Sequence, residues 1–254
     1  MKLISLNTWC GRAGKNKLLE FFKKYEDVDI FCLQEISSVS YEYLNEHITD
    51  KTGTADEGTM IHGMQDISAV LANHVALFRP HYLDNYGLML LVKKGLDILE
   101  EGDFFVYKEK GYTPNGDAGF HARNVQYVTI ATKKSNYTVM NFHGLWNGGG
   151  KWDTNDRLTQ SERIVDFMKS ITSPYLICGD FNLLPTTESI RRFEDAGLRN
   201  LIREYGITST RTSYYTKEHK FADYVLASAE IKVSTFEVLP DEVSDHSPIY
   251  IEFD

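Results

Sequence analysis

Short apolar runs recur along the whole chain and alternate with turns and with segments of helical periodicity. Several runs show the two-residue alternation of apolar and polar positions that is typical of a strand in a sheet covered on one face. Ten runs have strand length: LISL, VDIFCL, VALF, LMLLV, VQYVTIA, YTVMNF, YLIC, DYVLA, IKVSTFEV and IYIEF. The pattern therefore predicts a protein built mainly from strands.

Three segments instead repeat apolar residues with the period of a helix. They are KNKLLEFFKKYE, DRLTQSERIVDFMKSI and TTESIRRFEDAG, the last of which ends at Gly197 as a C-cap. Because strands outnumber helices and short turns separate many adjacent runs, we predict an α+β sandwich of two packed sheets flanked by helices. This pattern argues against a doubly wound parallel sheet.

The chain shows no internal repeat, low-complexity tract or linker, so we expect a single domain over residues 1–254. Two glycine-rich polar segments, Gly111–Gly119 and Asn147–Asp156, have the composition of mobile loops beside a cleft.

The overall charge argues against extended contact with a polyanion. The net charge is −9, whereas proteins that bind duplexes usually present a basic face. Neutralising the phosphate of a substrate would then depend on a bound cation or on a few clustered arginines.

Three separated cysteines, Cys10, Cys32 and Cys178, lie in or beside apolar runs and show no zinc-site spacing. We interpret them as buried free thiols in a reducing compartment. The N-terminus lacks the pattern of a secretory signal, and no run approaches transmembrane length. We therefore expect a cytoplasmic location and no stable membrane association, while the oligomeric state stays open.

Many apolar runs end in residue types that bind cations or transfer protons. Each such residue has an ordinary explanation when taken alone, as a turn former, a strand cap or a surface acid. Their repeated position at the junction of an apolar run and a loop is hard to assign to chance, and it predicts one shared pocket. The residues are Asn7, Glu35, His143, Asp180, Asn182, Asp223, Asp245 and His246.

This set of side chains suits metal-assisted attack of water on phosphorus. Carboxylates such as Glu35 and Asp245 are hard ligands for Mg²⁺ or Mn²⁺, which also bind phosphate. A histidine whose tautomer is fixed by a carboxylate can accept a proton from water. Amide groups such as those of Asn7 and Asn182 can donate to phosphate oxygens without adding negative charge.

The motifs SLNTW, CLQE, NFHGLW, CGDFN, FADYVL and VSDHSP resemble, in this order, those of the endonuclease/exonuclease/phosphatase superfamily. The resemblance extends from Asn7 to His246. It implies a four-layer α/β/β/α sandwich of two mixed sheets between helices, and a phosphoric ester hydrolase that depends on Mg²⁺ or Mn²⁺. By the same resemblance, Glu35 matches the principal metal ligand, with Asn7 and Asp245 as its neighbours at the cation.

The resemblance also implies roles for the remaining strand-end residues. His246 matches the histidine that activates water or stabilises the phosphorane, and Asp223 matches the carboxylate that orients it. Asp180 and Asn182 match the pair that positions the nucleophile and the phosphate. His143 matches a second histidine that binds phosphate or assists the leaving group. Which residue acts as the general base stays open.

Departures from the motifs of individual branches argue against some activities. Trp9 and His143 stand where abasic-site endonucleases carry an acid or amide and a tyrosine. The Trp before Gly-Asp and the Cys-Asp-Arg of inositol polyphosphate phosphatases are absent. We expect hydrolysis of a phosphodiester in nucleic acid strands or ends. The alternative is a small phosphorylated metabolite or nucleotide, and a more distant one is a non-catalytic binding module.

Further residues are candidates for contact with the substrate. Arg123 and Arg211 could hold phosphate, whereas Arg157, at a helix start, is better explained by a structural role. Aromatic residues near the predicted loops could stack a base or could equally anchor those loops. They are Trp146, Trp152, Tyr214 and Tyr215.

Overall fold

The computed structural model describes residues 1–39, 58–112 and 118–254, and within them two sheets carry most of the chain. The strands are β1 Lys2–Asn7, β2 Ile30–Ser37, β3 His74–Tyr82, β4 Tyr86–Lys93, β5 Asp97–Tyr107, β6 Arg123–Ala131, β7 Asn136–His143, β8 Tyr175–Asp180, β9 Arg199–Asn200, β10 Asp223–Ala227, β11 Val233–Val238 and β12 Ile249–Phe253. The helices are α1 Lys15–Lys24, α2 Gly63–Val70, α3 Asn155–Met168, α4 Glu188–Asp195 and α5 Leu201–Glu204.

The first sheet has the order β11-β12-β1-β2-β4-β3 and mixes parallel and antiparallel pairs. Along β2, Ile30 and Cys32 belong to the core between the sheets, whereas Phe31 and Leu33 pack with Phe22 of α1 in a second core. Successive side chains of a strand point to opposite faces, so an apolar run with both faces covered lies in the centre of a sandwich.

The second sheet has the order β5-β6-β7-β8-β10-β9, in which β7 and β8 are parallel and β10 is antiparallel to β8. Ile164 of α3 and Phe193 of α4 belong to the same cluster of buried apolar residues as the strands of this sheet. Helices therefore pack on the outer faces of two mixed sheets, which confirms the predicted four-layer α/β/β/α sandwich. That the whole chain is a single domain stays a prediction.

Two strands and two helices were not predicted. β5 contains Glu100, Glu101 and Asp103 and pairs only with β6 at the sheet edge, so its exposed polar residues hide the strand pattern. The strand β9 and the helix α5 span only two and four residues. The helix α2 spans eight residues, which is also short for a periodic pattern. Of the predicted loop at Gly111–Gly119, residues 113–117 lie outside the described part of the chain.

The strand directions bring the predicted residues to one end of the sandwich. The parallel strands β1 and β2 both end there, with Asn7 opposite Gln34 in the register. In the second sheet, His143 at the end of β7 and Asp223 at the start of β10 both lie opposite Asp180 at the end of β8. Strand ends that share one edge of a sheet are close in space, so the topology itself assembles the site.

Candidate active site

A bulge in β2 presents Glu35 to the site. The pairing of β2 with β4 shifts between Leu33 and Ile36, and Glu35 has a positive φ of 58°. The Thr8 hydroxyl donates to the carbonyl oxygens of Gln34 and Glu35, at 3.1 Å each, and holds this conformation. Bulges re-aim side chains at functional sites, and a non-glycine residue at positive φ is strained. The local backbone therefore favours the position of Glu35 over regular pairing.

Asn7 holds two carboxylates together. Its amide nitrogen donates to Glu35 Oε1 at 3.1 Å and to Asp180 Oδ2 at 3.0 Å, while its Oδ1 accepts from the backbone N–H of Trp9 at 2.9 Å. The side chain is fully buried. The amide nitrogen rather than the oxygen faces the carboxylates, so the geometry favours a positioning role for Asn7 over direct contact with a cation.

The turn after β8 depends on two glycines that allow close backbone approach. Gly179 has a φ of +137°, and a Cβ there would collide with the carbonyl oxygen of Phe142. A Cβ at Gly144 would collide with the carbonyl of Phe181. Only glycine fits at such contacts. The Gly-Asp-Phe-Asn segment therefore turns tightly at the end of the sheet and places Asp180 in the site.

Asp180 contacts several of the predicted site residues. Its Oδ1 accepts from the backbone N–H of Asn182 at 2.8 Å, and its Oδ2 is 3.5 Å from His246 Nε2 and 3.7 Å from His143 Nε2. Asn182 has a φ of 55°, and its amide donates to the Gly144 carbonyl at 3.2 Å. Asn182, His143 and His246 therefore surround one carboxylate.

Asp223 and His246 form a buried pair across the two sheets. Both carboxylate oxygens of Asp223 lie 2.8 Å from His246 Nδ1, and the Thr210 hydroxyl donates to Asp223 Oδ2 at 3.0 Å. Such a bond places the proton on Nδ1 and leaves Nε2 as an acceptor. Nε2 faces Asp180 and Asp245, the latter at 3.6 Å. The predicted pairing of Asp223 with His246 is therefore present.

Burial disfavours the charged forms of these groups. It lowers the pKa of His246 to about 3 and raises the pKa of Asp223 to about 6, the latter opposed by Arg211 and Lys151. Burial and Arg123 together hold the pKa of His143 well below its usual range. Both imidazoles are therefore neutral near pH 7, so Nε2 of His246 is an acceptor, whereas Nε2 of His143 can accept or donate.

Asp245 and Arg211 form a partly buried ion pair at the entrance to β12. Arg211 Nη1 donates to Asp245 Oδ2 at 2.7 Å, and its guanidinium lies 4.2 Å from the centre of the Tyr215 ring. Asp245 Oδ1 is buried and has no hydrogen-bond partner among the described residues. One oxygen of this carboxylate is therefore available to a ligand.

A cavity of about 490 Å³ opens over these groups. Its lining includes Glu35, His143, Asp180, Asn182, Asp245 and His246. Arg123 also lines it, with only one of its guanidinium nitrogens bonded, to the Gly119 carbonyl at 3.2 Å, while Nε and Nη1 have no partner in the described chain. Six of the eight predicted strand-end residues thus line one pocket. The other two lie behind them: Asn7 bonds to Glu35 and Asp180, and Asp223 bonds to His246.

The other predicted residues divide between the cavity and its surroundings. Trp146 and Tyr215 line the cavity, whereas Trp152 and Tyr214 do not. Trp152 packs against His219, and Tyr214 contacts Lys17 and the ring of Trp9, which itself lines the cavity. Arg157 is structural as predicted, because its guanidinium donates to the carbonyl oxygens of Leu145, Gly150 and Trp152.

One expectation about the cysteines is wrong. Cys32 and Cys178 are buried free thiols, but Cys10 is only half-buried, lines the cavity and donates to Glu35 Oε2 at 3.5 Å. Cys10 follows the end of β1 in a tight turn with a positive φ of 50°, which carries it out of the core.

Sequence reasoning missed several cavity residues. Tyr86, His121 and Lys151 line the pocket but carry no motif that marks them. Burial lowers the pKa of His121 to about 3 and that of Lys151 to about 8. The only signal for Lys151 in the sequence was its position as a charged residue inside a glycine-rich loop.

The sequence matches a model of the Endonuclease/Exonuclease/phosphatase family over residues 4–246. The chain belongs to this family. Its members are hydrolases that act on phosphoesters. No curated protein matches the sequence.

Solved structures show the same fold at low sequence identity. A mannosyl-6-phosphatase of Bacteroides thetaiotaomicron VPI-5482 is 17% identical with a TM-score of 0.74, and the match covers 100% of this chain and 99% of that chain. A functionally unknown conserved protein of Enterococcus faecalis V583 is 17% identical with a TM-score of 0.73, at 100% and 99% coverage. The human Nocturnin catalytic domain is 17% identical with a TM-score of 0.68, at 100% and 93% coverage.

The donor set of this family member fits a hard divalent cation. Asp245 Oδ1 is buried without a partner in the described chain, and burial together with the charges of Asp245 and Asp180 raises the pKa of Glu35. Carboxylate oxygens that repel one another in a pocket are the ligands that Mg²⁺ and Mn²⁺ take. A cation between Glu35 and Asp245 would relieve that repulsion.

A second group could also hold a metal. Asp180, Asp223 and His246 bring one ligand atom each to within 4.8 Å of one another. However, Asp223 already bonds to His246 and to Thr210, so binding a cation there would break the buried pair. The free oxygen of Asp245 favours the first position.

None of the helices in the described part of the chain is long and apolar enough to cross a membrane.

Proposed function

We propose that this protein is a divalent-metal-dependent phosphoesterase that hydrolyses its substrate by attack of water on phosphorus. The observation that carries the proposal is the Asp223–His246 pair, whose Nε2 opens into a cavity that also contains Glu35, Asp180 and Asp245. A proton acceptor and a set of hard oxygen donors in one pocket support this chemistry better than they support binding alone.

Glu35 and Asp245 would hold the cation, and Asn7 would position Glu35 and Asp180 through its amide. A bound Mg²⁺ or Mn²⁺ would supply a positive charge that stabilises the phosphoryl oxygens and the leaving oxygen. Arg211 neutralises the second oxygen of Asp245 and fixes the orientation of that carboxylate.

His246 would accept the proton of the attacking water at Nε2, while Asp223 stabilises the resulting imidazolium through Nδ1. The water oxygen forms a bond to phosphorus, the ester P–O bond breaks, and the leaving oxygen takes up a proton from solvent water, while the His246 imidazolium returns its proton to solvent. Asp180 lies 3.5 Å from Nε2, close enough to orient the water. Because Asp180 is itself a carboxylate, the assignment of the base to His246 is part of the proposal.

Asn182, His143 and Arg123 would bind the phosphate. Neutral His143 can donate one hydrogen bond from Nε2, and Arg123 has two nitrogens without a partner among the described residues. Planar guanidinium donors match the spacing of phosphate oxygens. The three residues lie on the second sheet or on the turns at its end.

For the substrate we propose a small phosphorylated metabolite. The cavity volume of about 490 Å³ is in the roughly 300–1,000 Å³ range of small-molecule sites, and the net charge of −9 disfavours a long polyanion. The fold neighbour named as a mannosyl-6-phosphatase is consistent with this class. The second candidate is a nucleic acid strand or end, which Trp146 and Tyr215 favour because both line the cavity and could stack a base.

A screen with purified protein tests the proposal. We expect hydrolysis of p-nitrophenyl phosphate or bis-p-nitrophenyl phosphate with Mg²⁺ or Mn²⁺, loss of turnover with chelator, and recovery when the cation is returned. Sugar phosphates and nucleotides should then be better substrates than single strands, duplexes or phospholipids. Absence of chelator-sensitive turnover on every phosphoester would instead favour a non-catalytic binding module.

A further inference from the structure

Lys151 is a buried cation that the proposed reaction does not yet use. It follows a loop in which Gly148 and Gly150 have φ angles of 70° and 86°, and its backbone carbonyl accepts from Leu184 N at 3.0 Å. This turn directs the lysine inward, where it is 3% exposed and lines the cavity. Lysine is rarely buried to this extent without a compensating partner.

The compensation that Lys151 receives from the described residues is incomplete. Its Nζ donates to the Phe221 carbonyl at 2.7 Å and lies 4.8 Å from the centre of the Tyr215 ring. Among the described residues it forms no ion pair, in contrast to Arg211, which shares the Tyr215 ring but is paired with Asp245. The charges of Asp180, Asp223 and Asp245 offset part of the cost of burying this cation from beyond ion-pair distance, and an anionic ligand in direct contact would complete the compensation.

The surroundings of Lys151 favour an anionic ligand. An ammonium group has three N–H donors, of which the Phe221 carbonyl uses one. Burial and the neighbouring Arg211 lower the pKa of Lys151 to about 8 against the opposing charges of Asp180, Asp223 and Asp245, so the amine is still mostly protonated at pH 7. The remaining donors adjoin the cavity that contains the phosphate-binding groups.

We propose that Lys151 binds the terminal phosphate of a phosphomonoester and thereby selects monoesters over diesters. The proposal rests on the proposed function and names its substrate class. A monoester carries two negative charges on three terminal oxygens, whereas a diester carries one charge on two. Lys151 provides the additional cation that the third oxygen needs. In a diester, the third oxygen is an ester oxygen bonded to carbon and carries no charge, and it would have to lie against the buried Lys151.

The test compares Lys151→Met and Lys151→Arg with wild type on p-nitrophenyl phosphate and bis-p-nitrophenyl phosphate at saturating Mg²⁺. Lys93→Met is a matched control, because Lys93 also donates to a backbone carbonyl at 2.7 Å but lies outside the cavity lining. Thermal melting verifies that each variant is folded, and Lys151→Gln replaces Lys151→Met if the latter is not.

We expect kcat/KM of Lys151→Met for the monoester to fall about 30-fold, mainly through KM, as for a lost charge-assisted hydrogen bond. The diester rate should fall less than about threefold by the same reasoning, and Lys151→Arg should recover part of the monoester rate. Equal losses on both substrates would mean that Lys151 only supports the loop. An unchanged monoester rate would also overturn the proposal.

Binding of inorganic phosphate separates this proposal from the proposed function. If wild type hydrolyses neither ester, the proposed function fails, and calorimetry with phosphate still decides the role of Lys151. Weaker phosphate binding by Lys151→Met than by Lys93→Met supports the role, and equal affinities overturn it.

Discussion

At the cavity, the first sheet and its connections present Glu35 and Asp245, whereas the second sheet presents His143 and Asp180, with Asp223 behind them. In the first group one carboxylate oxygen lacks a partner among the described residues, and in the second the carboxylates already accept hydrogen bonds from protein groups. This difference favours cation binding on the first sheet and proton transfer with phosphate binding on the second. Neither sheet alone holds a complete site.

Hydrogen bonds between the two sheets align the two groups of site residues. His246 precedes β12 of the first sheet but pairs with Asp223 of the second, and Asn7 bonds to Asp180 at 3.0 Å. Beneath them, Gln34 Nε2 donates to Asn141 Oδ1 at 2.7 Å inside the core. Buried polar bonds of this kind fix a unique arrangement of packed layers.

Replacing His246 by Gln should give the largest loss of activity. The variant keeps a polar side chain of similar size but cannot accept and return a proton, so kcat should fall about 10³-fold. His219→Gln is the control, because His219 contacts Trp152 outside the cavity lining. Steady-state kinetics at saturating Mg²⁺ measure both. A loss below tenfold would assign the proton transfer to another group.

Asp223→Asn should lower kcat about 10²-fold, because the amide can stabilise the wrong histidine tautomer. If Asp223 and His246 act as one unit, as proposed, the double variant with His246→Gln should lose little more than His246→Gln alone. The comparison uses rates at saturating Mg²⁺. Losses that multiply would show that the two residues act independently.

Asn141→Ala should loosen the alignment of the sheets without touching the substrate. Gln34 would lose a buried partner, which costs about 1–3 kcal/mol of unfolding free energy. We expect a smaller fall in kcat, about tenfold, because a displacement at the site weakens the near-attack geometry. Asn136→Ala, at an exposed position of the same strand, is the control. Unchanged urea unfolding of Asn141→Ala would contradict this role.

The smallest effect concerns the stacked histidines His81 and His121, whose ring centres lie 5.0 Å apart between the sheets. Burial lowers the pKa of His121 to about 3 and also lowers that of His81. The unfolded state therefore binds more protons below pH 6.5, so stability is present above that pH and is lost as the pH falls towards 3.

Urea unfolding at pH 7.5 and 5.5 measures this loss in wild type and in His121→Asn. Between these values one such histidine should account for about 1 kcal/mol. The drop in unfolding free energy should therefore be smaller by about this amount in His121→Asn. An identical drop in both proteins would mean that His121 is protonated in the folded state.

The fold and the positions of the strand-end residues could be predicted because they depend on local pattern. Apolar alternation predicts strands, and the strand ends of one sheet share an edge. The amide orientation of Asn7 could not be predicted, because it depends on Trp9 and Asp180 together. Lys151 was missed because only the tertiary contact with Phe221 turns a loop lysine inward. The cytoplasmic location stays a prediction.

The assignment of the cation to the first sheet is tested most directly by calorimetric titration of Mn²⁺ into wild type, Glu35→Gln and Asp223→Asn, without substrate. Glu35→Gln should weaken Mn²⁺ binding by at least the roughly 10- to 100-fold that even a supporting residue of a metal site costs. Asp223→Asn should retain the wild-type affinity within about threefold, because Asp223 is bonded to His246 rather than to the cation. Wild-type affinity in Glu35→Gln, together with lost binding in Asp223→Asn, would place the metal on the second sheet and contradict the account.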